Sequence, residues 1–417
     1  MVEHFMIFKI MKNLGLCIFT ILVTSLSALG QEDYRRSSLY SILVRHPEKY
    51  YDREIDTAFA SIPIPHKFND HSLKIKAINC VSNRSDQSDI ENVKSTIDAF
   101  ITKNQLGKRL VAKWFNRKQG RNGDGTFDMN LVIERGLYDA DYFDLLIANQ
   151  SIRGHSVLAD AGEDLIGNTF VLFNDIRYLD KEEAAFWASM GVIFVGAIAS
   201  ELTGGLASLA ISAATNASVR INNEIAGFRV SITSYLYQLS WNEEVANSFY
   251  SDYYTQIPDE EKKILFDRNR DLFKLEYVGS HSIVTSQTTL GGVQTPSDMI
   301  RKVCERAIDE NIAKLQKEYE VFRVKTPLFS IEPLTAKIGL KEDITPDSRF
   351  EVLEIVEKYG RTEYKRVGVI KPIKGRIWDN RFMAEFEDEN KGTDLTATEF
   401  EVVNGSGFYP GMLIREI

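Results

Sequence analysis

Hydrophobic spacing along this chain changes period several times, and each change predicts an element. Leu73, Ile75 and Ala77 alternate within 73–81 as a strand does; Ile90, Val93, Ile97, Ile101, Leu110 and Trp114 then recur at helical spacing. Phe127, Met129, Leu131 and Ile133 alternate with Asp128 and Asn130 and predict a second strand. Leu145, Ile152, Leu158, Ala161 and Leu165 mark a long helix that leads to a third strand over 169–178. The order β-α-β-α-β predicts an α/β layer. Phe228, Val230, Ile232 and Leu236 resume the alternation and predict a strand that rejoins the same sheet.

Between these strands lie two uncharged stretches, 184–200 and 202–218, separated by Glu201 and rich in Ala, Gly and Ser. Asp180 with Glu183 has the form of a helix start, and no proline follows until Pro258, so the block reads as helical. On one helix Gly196, Ser200, Gly204, Ser208 and Ser212 form a stripe of small residues that lets a second helix approach closely. Each stretch is at the short limit of a membrane span, which needs about 20 apolar residues. A helical pair buried on the sheet, a hairpin entering a membrane and a subunit interface all fit it.

Residues 256–296 are polar and turn-rich and read as a connector. Ser297 then caps a helix with Ile300, Val303, Ala307, Ile308, Ile312, Leu315, Tyr319 and Phe322 on one face. Short β-prone runs at 349–359, 364–378 and 397–403 predict a barrel-like β domain. The division that follows is a signal peptide at 1–30, an N-terminal arm at 31–72, an α/β domain at 73–255 with a helical insertion at 182–218, a connector and long helix at 256–330, and a C-terminal β domain at 331–417. The fold class is thus α/β, a β-α-β-α-β sheet with an inserted long helical block, plus a small all-β barrel-like domain.

Composition narrows the compartment. Lys9 and Lys12 precede an apolar core at 14–23, and small residues follow at Ala28 and Gly30, the pattern of a removable export signal. The net charge is −9, and −10 without that leader, which carries two lysines and one glutamate; this disfavours nucleic acid as a partner. Cys80 and Cys304 are too few for a disulfide scaffold and read as buried thiols, with a single bridge as the alternative.

Sites of chemistry are sparse. His46, His66, His71, His155 and His281 are scattered without a metal-binding spacing, so no cofactor or metal is expected. Asn122, Asp124, Thr126 and Asp128 alternate as calcium ligands do, but a Gly-rich turn explains them. Tyr235, Tyr237, Trp241 and Tyr250 offer rings on which a sugar could stack. Lys108, Arg109, Lys113, Arg117, Lys118 and Arg121 gather at a helix end, where their charge suits the helix dipole.

The element order over 73–250, with Val132-Ile133-Glu134-Arg135 read as a strand ending that feeds a helix, resembles the α/β domain of the curli secretion channel family. The N-terminal domain of the Tol translocation protein and the middle domain of flagellar T-ring proteins are similar in layout. Ile338-Gly339-Leu340, 347–352, Val367-Gly368-Val369-Ile370 and Tyr409-Pro410-Gly411-Met412 resemble the small β domain of T-ring proteins. Curli channels cross the outer membrane with β-hairpins inserted in this domain, whereas the insertion here lacks period-two alternation. The leader, this resemblance and the small-residue stripe together lead to the expectation of an exported, non-enzymatic envelope protein, periplasmic or outer-membrane-associated. It would be a scaffold or secretion-apparatus component, a homo-oligomer or part of an envelope complex, with membrane contact through 184–218. The alternative is a periplasmic or surface glycan-binding module built on the tyrosines.

Overall fold

The computed structural model describes residues 37–47, 51–65, 67–80, 87–120, 123–136, 165–178, 193–196, 227–288, 296–323, 325–358, 361–382, 384 and 395–417. In chain order, its first half holds β1 (Ser37–Arg45), α1 (Asp52–Ser61), β2 (Phe68–Asp70), β3 (Ala77–Asn79), α2 (Gln87–Asn104), α3 (Leu106–Trp114), α4 (Asn130–Gly136), β4 (Thr169–Tyr178) and β5 (Ile193–Gly196). Next come β6 (Gly227–Leu239), α5 (Glu243–Asp252), α6 (Glu260–Arg268), β7 (Leu275–Thr288) and α7 (Pro296–Glu318). The C-terminal part holds β8 (Thr326–Ile331), β9 (Leu334–Ala336), β10 (Phe350–Lys358), β11 (Arg361–Pro372), β12 (Thr398–Gly405) and β13 (Leu413–Glu416).

Sheet order is β2-β1-β4-β6-β7-β5, with β3 also on β1. β2, β3 and β4 run parallel to β1, whereas β6 is antiparallel to β4 and β7 to β6. Side chains of β1 alternate between two cores: Tyr40, Ile42 and Val44 face α2 and α3, and Leu39 and Leu43 face α1 and α7. A strand covered on both faces has no solvent side, which is why seven of the nine residues of β1 are buried, two of its three serines among them. The unit is therefore a three-layer sandwich of helices, mixed sheet and helices. Gly107 shows how closely the layers approach, since a Cβ there would lie 2.4 Å from the Phe273 carbonyl oxygen.

A polar thread crosses the α7 face and fixes register. Asn174 donates to Ser41 Oγ at 2.9 Å, Ser234 donates to Asn174 Oδ1 at 2.7 Å, and Asn311 of α7 donates to Ser234 Oγ at 3.0 Å. Buried polar groups tolerate no slip that unpairs them, so this thread sets how α7 lies on β6.

The C-terminal strands close into a barrel in the order β10-β11-β12-β9-β8-β13, antiparallel throughout, around Leu328, Val352, Ile370, Phe400 and Ile414. Closure leaves no free edge. The expected α/β layer and C-terminal barrel are both present. So are the strand over 169–178, its pairing with the strand through Phe228 to Leu236, and the long helix after Pro296.

Other expectations are corrected. Residues 37–72 are not an arm, because β1 lies inside the sheet between β2 and β4. The stretch 256–296 is not only a connector: it supplies α6 and β7, and β7 pairs with β6 over its whole length. Strand 73–81 shrinks to β3, and the helix through Ile90 and Trp114 breaks at Gln105, whose φ of 49° is left-handed. Phe127 to Ile133 is not a strand. Asp128 accepts the Asn130 N–H at 3.0 Å and starts α4, so Val132-Ile133-Glu134-Arg135 is helical and the strand ending on which the resemblance leaned is absent.

The inserted block is not one helix either. β5 takes Gly196 into the sheet, parallel to β7 with Ile193 opposite Ile283 and Gly196 opposite Ser286. Ile193-Phe194-Val195 has the β-branched and aromatic character of a strand, and the outer edge of β7 offers backbone groups to pair with. The stripe residues Ser200, Gly204, Ser208 and Ser212, the rest of 184–218, the leader and the helix expected at 145–164 lie outside the described residues.

Candidate functional site

Parallel strands in an α/β sheet bring their carboxyl ends to one edge, where ligand-binding and anchoring groups commonly collect. Here β1 and β4 place His46, Asp175 and Arg177 together at that edge, because Val44 pairs with Asp175 and His46 is two residues further along. All three are at least nine-tenths buried. His46 Nε2 lies 2.5 Å from Asp175 Oδ1, and Arg177 grips the same carboxylate through Nε at 3.0 Å and Nη2 at 2.8 Å. Burial alone would raise the Asp175 carboxyl, but Arg177 and His46 outweigh it and hold the group well below the usual carboxylate range.

An ionised Asp175 can only accept, so His46 Nε2 carries a proton and donates it. That leaves His46 Nδ1 buried without a hydrogen-bond partner among the described residues; the Tyr235 hydroxyl, on the same face of the sheet, also has none among them. Burial raises the Tyr235 phenol far above its ordinary range, so it stays neutral. Cys80 follows β3 beside His46, since Arg45 pairs with Asn79. Cysteine, histidine and aspartate are the residue types of a thiol-nucleophile triad, yet Cys80 is buried, 3.7 Å from Thr96 Oγ1, and none of the three lines either of the two main cavities described. Tyr178, the last residue of β4, packs on Tyr51 with ring centroids 4.7 Å apart.

The four residues of the candidate glycan platform lie elsewhere. Tyr235 and Tyr237 are 1% and 2% exposed, and Tyr237 donates to Asp98 Oδ1 at 2.6 Å. Trp241 and Tyr250 are partly buried against the same core, each with its ring centroid 5.9 Å from that of Phe115. The cluster is core packing around Phe115 and Phe249 rather than a flat exposed face, because α5 folds back over the end of β6. Gly196 is a strand residue, and the rest of the small-residue stripe is not described.

His71 is fully buried, stacked on Trp114 at 5.0 Å and held between the Leu110 carbonyl at Nε2 and the Arg135 guanidinium at Nδ1. Nε2 must donate and Nδ1 must accept, which fixes one neutral tautomer; burial first and Arg135 second push its pKa well below the ordinary value. Asp124 Oδ1 accepts from the backbone and hydroxyl of Thr126, and Asp128 Oδ1 accepts the Asn130 N–H in the turn that leads into α4, so these oxygens serve the turns themselves. Lys108 donates to the carbonyls of Asp267 and Asn269, and Arg117 pairs with Asp267 at 2.9 Å, so two of the clustered cations close the end of α6. Cys80 and Cys304 are not joined in a disulfide and belong to cores on opposite faces of the sheet. Among the described residues no group of three or more His, Cys, Asp or Glu converges to hold a metal, and no helix is long and apolar enough to cross a membrane.

His46, Asp175 and Arg177 were not picked out from the sequence. Their signal is two opposite charges two apart in an otherwise uncharged, mostly apolar strand, Thr169-Phe170-Val171-Leu172-Phe173-Asn174-Asp175-Ile176-Arg177, which favours their pairing. Comparison with protein-family models and with curated proteins finds no match.

Proposed function

We propose that this protein is an exported, non-enzymatic component of the cell envelope, a scaffold or assembly-apparatus subunit that self-associates through residues 179–226. The observation that carries this reading is where that segment is attached. β4 and β6 are adjacent antiparallel strands, paired from Phe170 with Gln238 to Tyr178 with Val230, and the segment leaves and re-enters at the same end of this pair. Its root is held by the His46–Asp175–Arg177 network, and apart from β5 it contains the Ala-, Gly- and Ser-rich residues 184–218, whose one charged residue is Glu201. Such composition suits close contact between helices or with a membrane, as small-residue surfaces do. The leader-like residues 1–30 add the expectation of export.

Fractionation tests it. Cells producing the full chain are separated, and the membrane pellet is washed with alkaline carbonate and blotted. Retention in the washed pellet is expected, together with release when 184–218 are replaced by a short Gly-Ser linker. Recovery of the unaltered chain as a soluble monomer would overturn the reading.

A further inference from the structure

The C-terminal half of α7 stands against the barrel, and a cavity of about 250 Å³ opens between them. That volume is just below the roughly 300–1,000 Å³ of ordinary ligand pockets, so it suits a small molecule. Much of its wall is apolar, formed by Ala313 of α7 with Ile338, Ile344, Phe350 and Ile414 of the barrel unit. On the wall contributed by the α/β unit is Lys67, one residue before β2.

Lys67 makes one side-chain hydrogen bond among the described residues, and its Nζ also lies 5.9 Å from the Phe68 ring centroid. An ammonium has three protons to give; one reaches Gln316 Oε1 at 3.0 Å, and the carboxylate nearest to it, Glu342, has Oε1 at 4.0 Å. The other oxygen of Glu342 already accepts from Gly339 N and Asn380 Nδ2, both at 2.8 Å. Two further cations on the wall are engaged. Lys317 pairs with Asp343 at 2.9 Å and Glu416 at 3.5 Å, and Arg323 donates to the Gln316 and Lys317 carbonyls at the end of α7. Burial pushes Lys67 below the usual ammonium range, with Glu342 and Asp309 acting against it, as expected of a charge whose partner is too distant.

We propose that this cavity binds a small monocarboxylate with an apolar tail, the carboxylate on Lys67 Nζ and the tail against Ile338, Ile344 and Phe350. A charge-assisted hydrogen bond supplies the missing anion, and the tail covers apolar wall that the protein leaves open. The ligand would touch both the α/β unit and the barrel, and so would fix their angle.

Octanoate and octanol share a tail and differ in charge, which makes them the probes. Calorimetric titration of the full chain is expected to show saturable octanoate binding about tenfold or more tighter than octanol. Lys67→Met should bring octanoate down to the level of octanol with an unchanged circular dichroism spectrum. The proposal is overturned if the unaltered protein binds octanoate no better than octanol, or if Lys67→Met leaves octanoate affinity intact. Should Lys67→Met not fold, Ile344→Trp decides: it fills the cavity from the barrel side with Lys67 in place, so octanoate binding must disappear, and its persistence would refute the site.

Discussion

Single side chains fix the α/β unit where backbone pairing is sparse, and Arg135 is the clearest case. β2 is only three residues long, so the turn after it depends on His71, and His71 depends on Arg135. The guanidinium gives Nη1 to Ser38 Oγ at 2.8 Å and to His71 Nδ1 at 2.9 Å, and lies 4.4 Å from the Trp114 ring centroid. Arg135→Ala should cost about 3 kcal/mol in urea unfolding, because it unpairs a buried imidazole nitrogen and removes a buried cation–π contact. Arg135→Lys should recover less than half of that loss, since an ammonium lacks the planar fork that meets two acceptors while stacking. Equal stability of Arg135→Lys and the unaltered protein would show that charge alone suffices and sink this account.

At the scale of elements α7 does the most, since one face covers the sheet and another meets the barrel. Its Asp309 is buried, with Lys341 of the barrel unit 3.0 Å away, Lys67 facing it from the turn before β2, and Glu305 one turn earlier on the same helix. Burial outweighs Lys341 and pushes the Asp309 carboxyl up to about 6 from its ordinary 3.8. The folded chain therefore takes up a proton more readily than the unfolded one. The stabilisation is complete below the unfolded value and is lost as the pH rises through about 6. The Asp309 contribution to the unfolding free energy should rise by on the order of 1 kcal/mol from about pH 7.5 to about pH 5, against the opposite contributions of buried His71 and His281, so it is read as the difference in pH slope between the unaltered chain and Asp309→Asn. A slope unchanged in Asp309→Asn would assign the effect elsewhere, Glu305 and Glu310 being the acids of α7 whose burial acts in the same direction. The long apolar face of α7 made it legible in the sequence. α4 was not, because Met129, Leu131 and Ile133 satisfy a period of two over a stretch too short to exclude helical spacing, and Asp128 decided between them by holding the turn that leads into α4. β7 was hidden by its own Gly279 and serines, whose fit comes from packing: the Tyr319 ring occupies the place a Cβ on Gly279 would take. The carboxyl-edge network joins residues distant in sequence, His46 with Asp175, and only the parallel register of β1 on β4 brings them together.

On the scale of the whole molecule, two units with separate cores meet at one junction, which several ion pairs cross. Lys314 and Lys317 of α7 both reach Asp343 Oδ2, at 2.7 and 2.9 Å, and Arg306 donates to the Phe382 carbonyl at 2.7 Å. Burial would raise the Asp343 carboxyl, yet the two lysines hold it below the ordinary range, so the pairs form at neutral pH. Their side chains are 28–33% exposed, and partly exposed pairs of this kind are worth roughly 1 kcal/mol as a network and weaken with salt. A coupling that small is enough to make two cores unfold together only while it is intact. In urea at low salt, far-ultraviolet circular dichroism reads both units, whereas thiol labelling at Cys80 and Cys304, resolved by peptide mass, reads the α/β cores alone. The two transitions should coincide in the unaltered chain. In Asp343→Ala they should separate, with thiol protection persisting beyond the first loss of β signal, and about 1 M salt should produce part of the same separation without any substitution. If the two curves stay superimposed in Asp343→Ala, the apolar contacts around Ala313 and Ile344, rather than the lysine pairs, hold the barrel to the sheet.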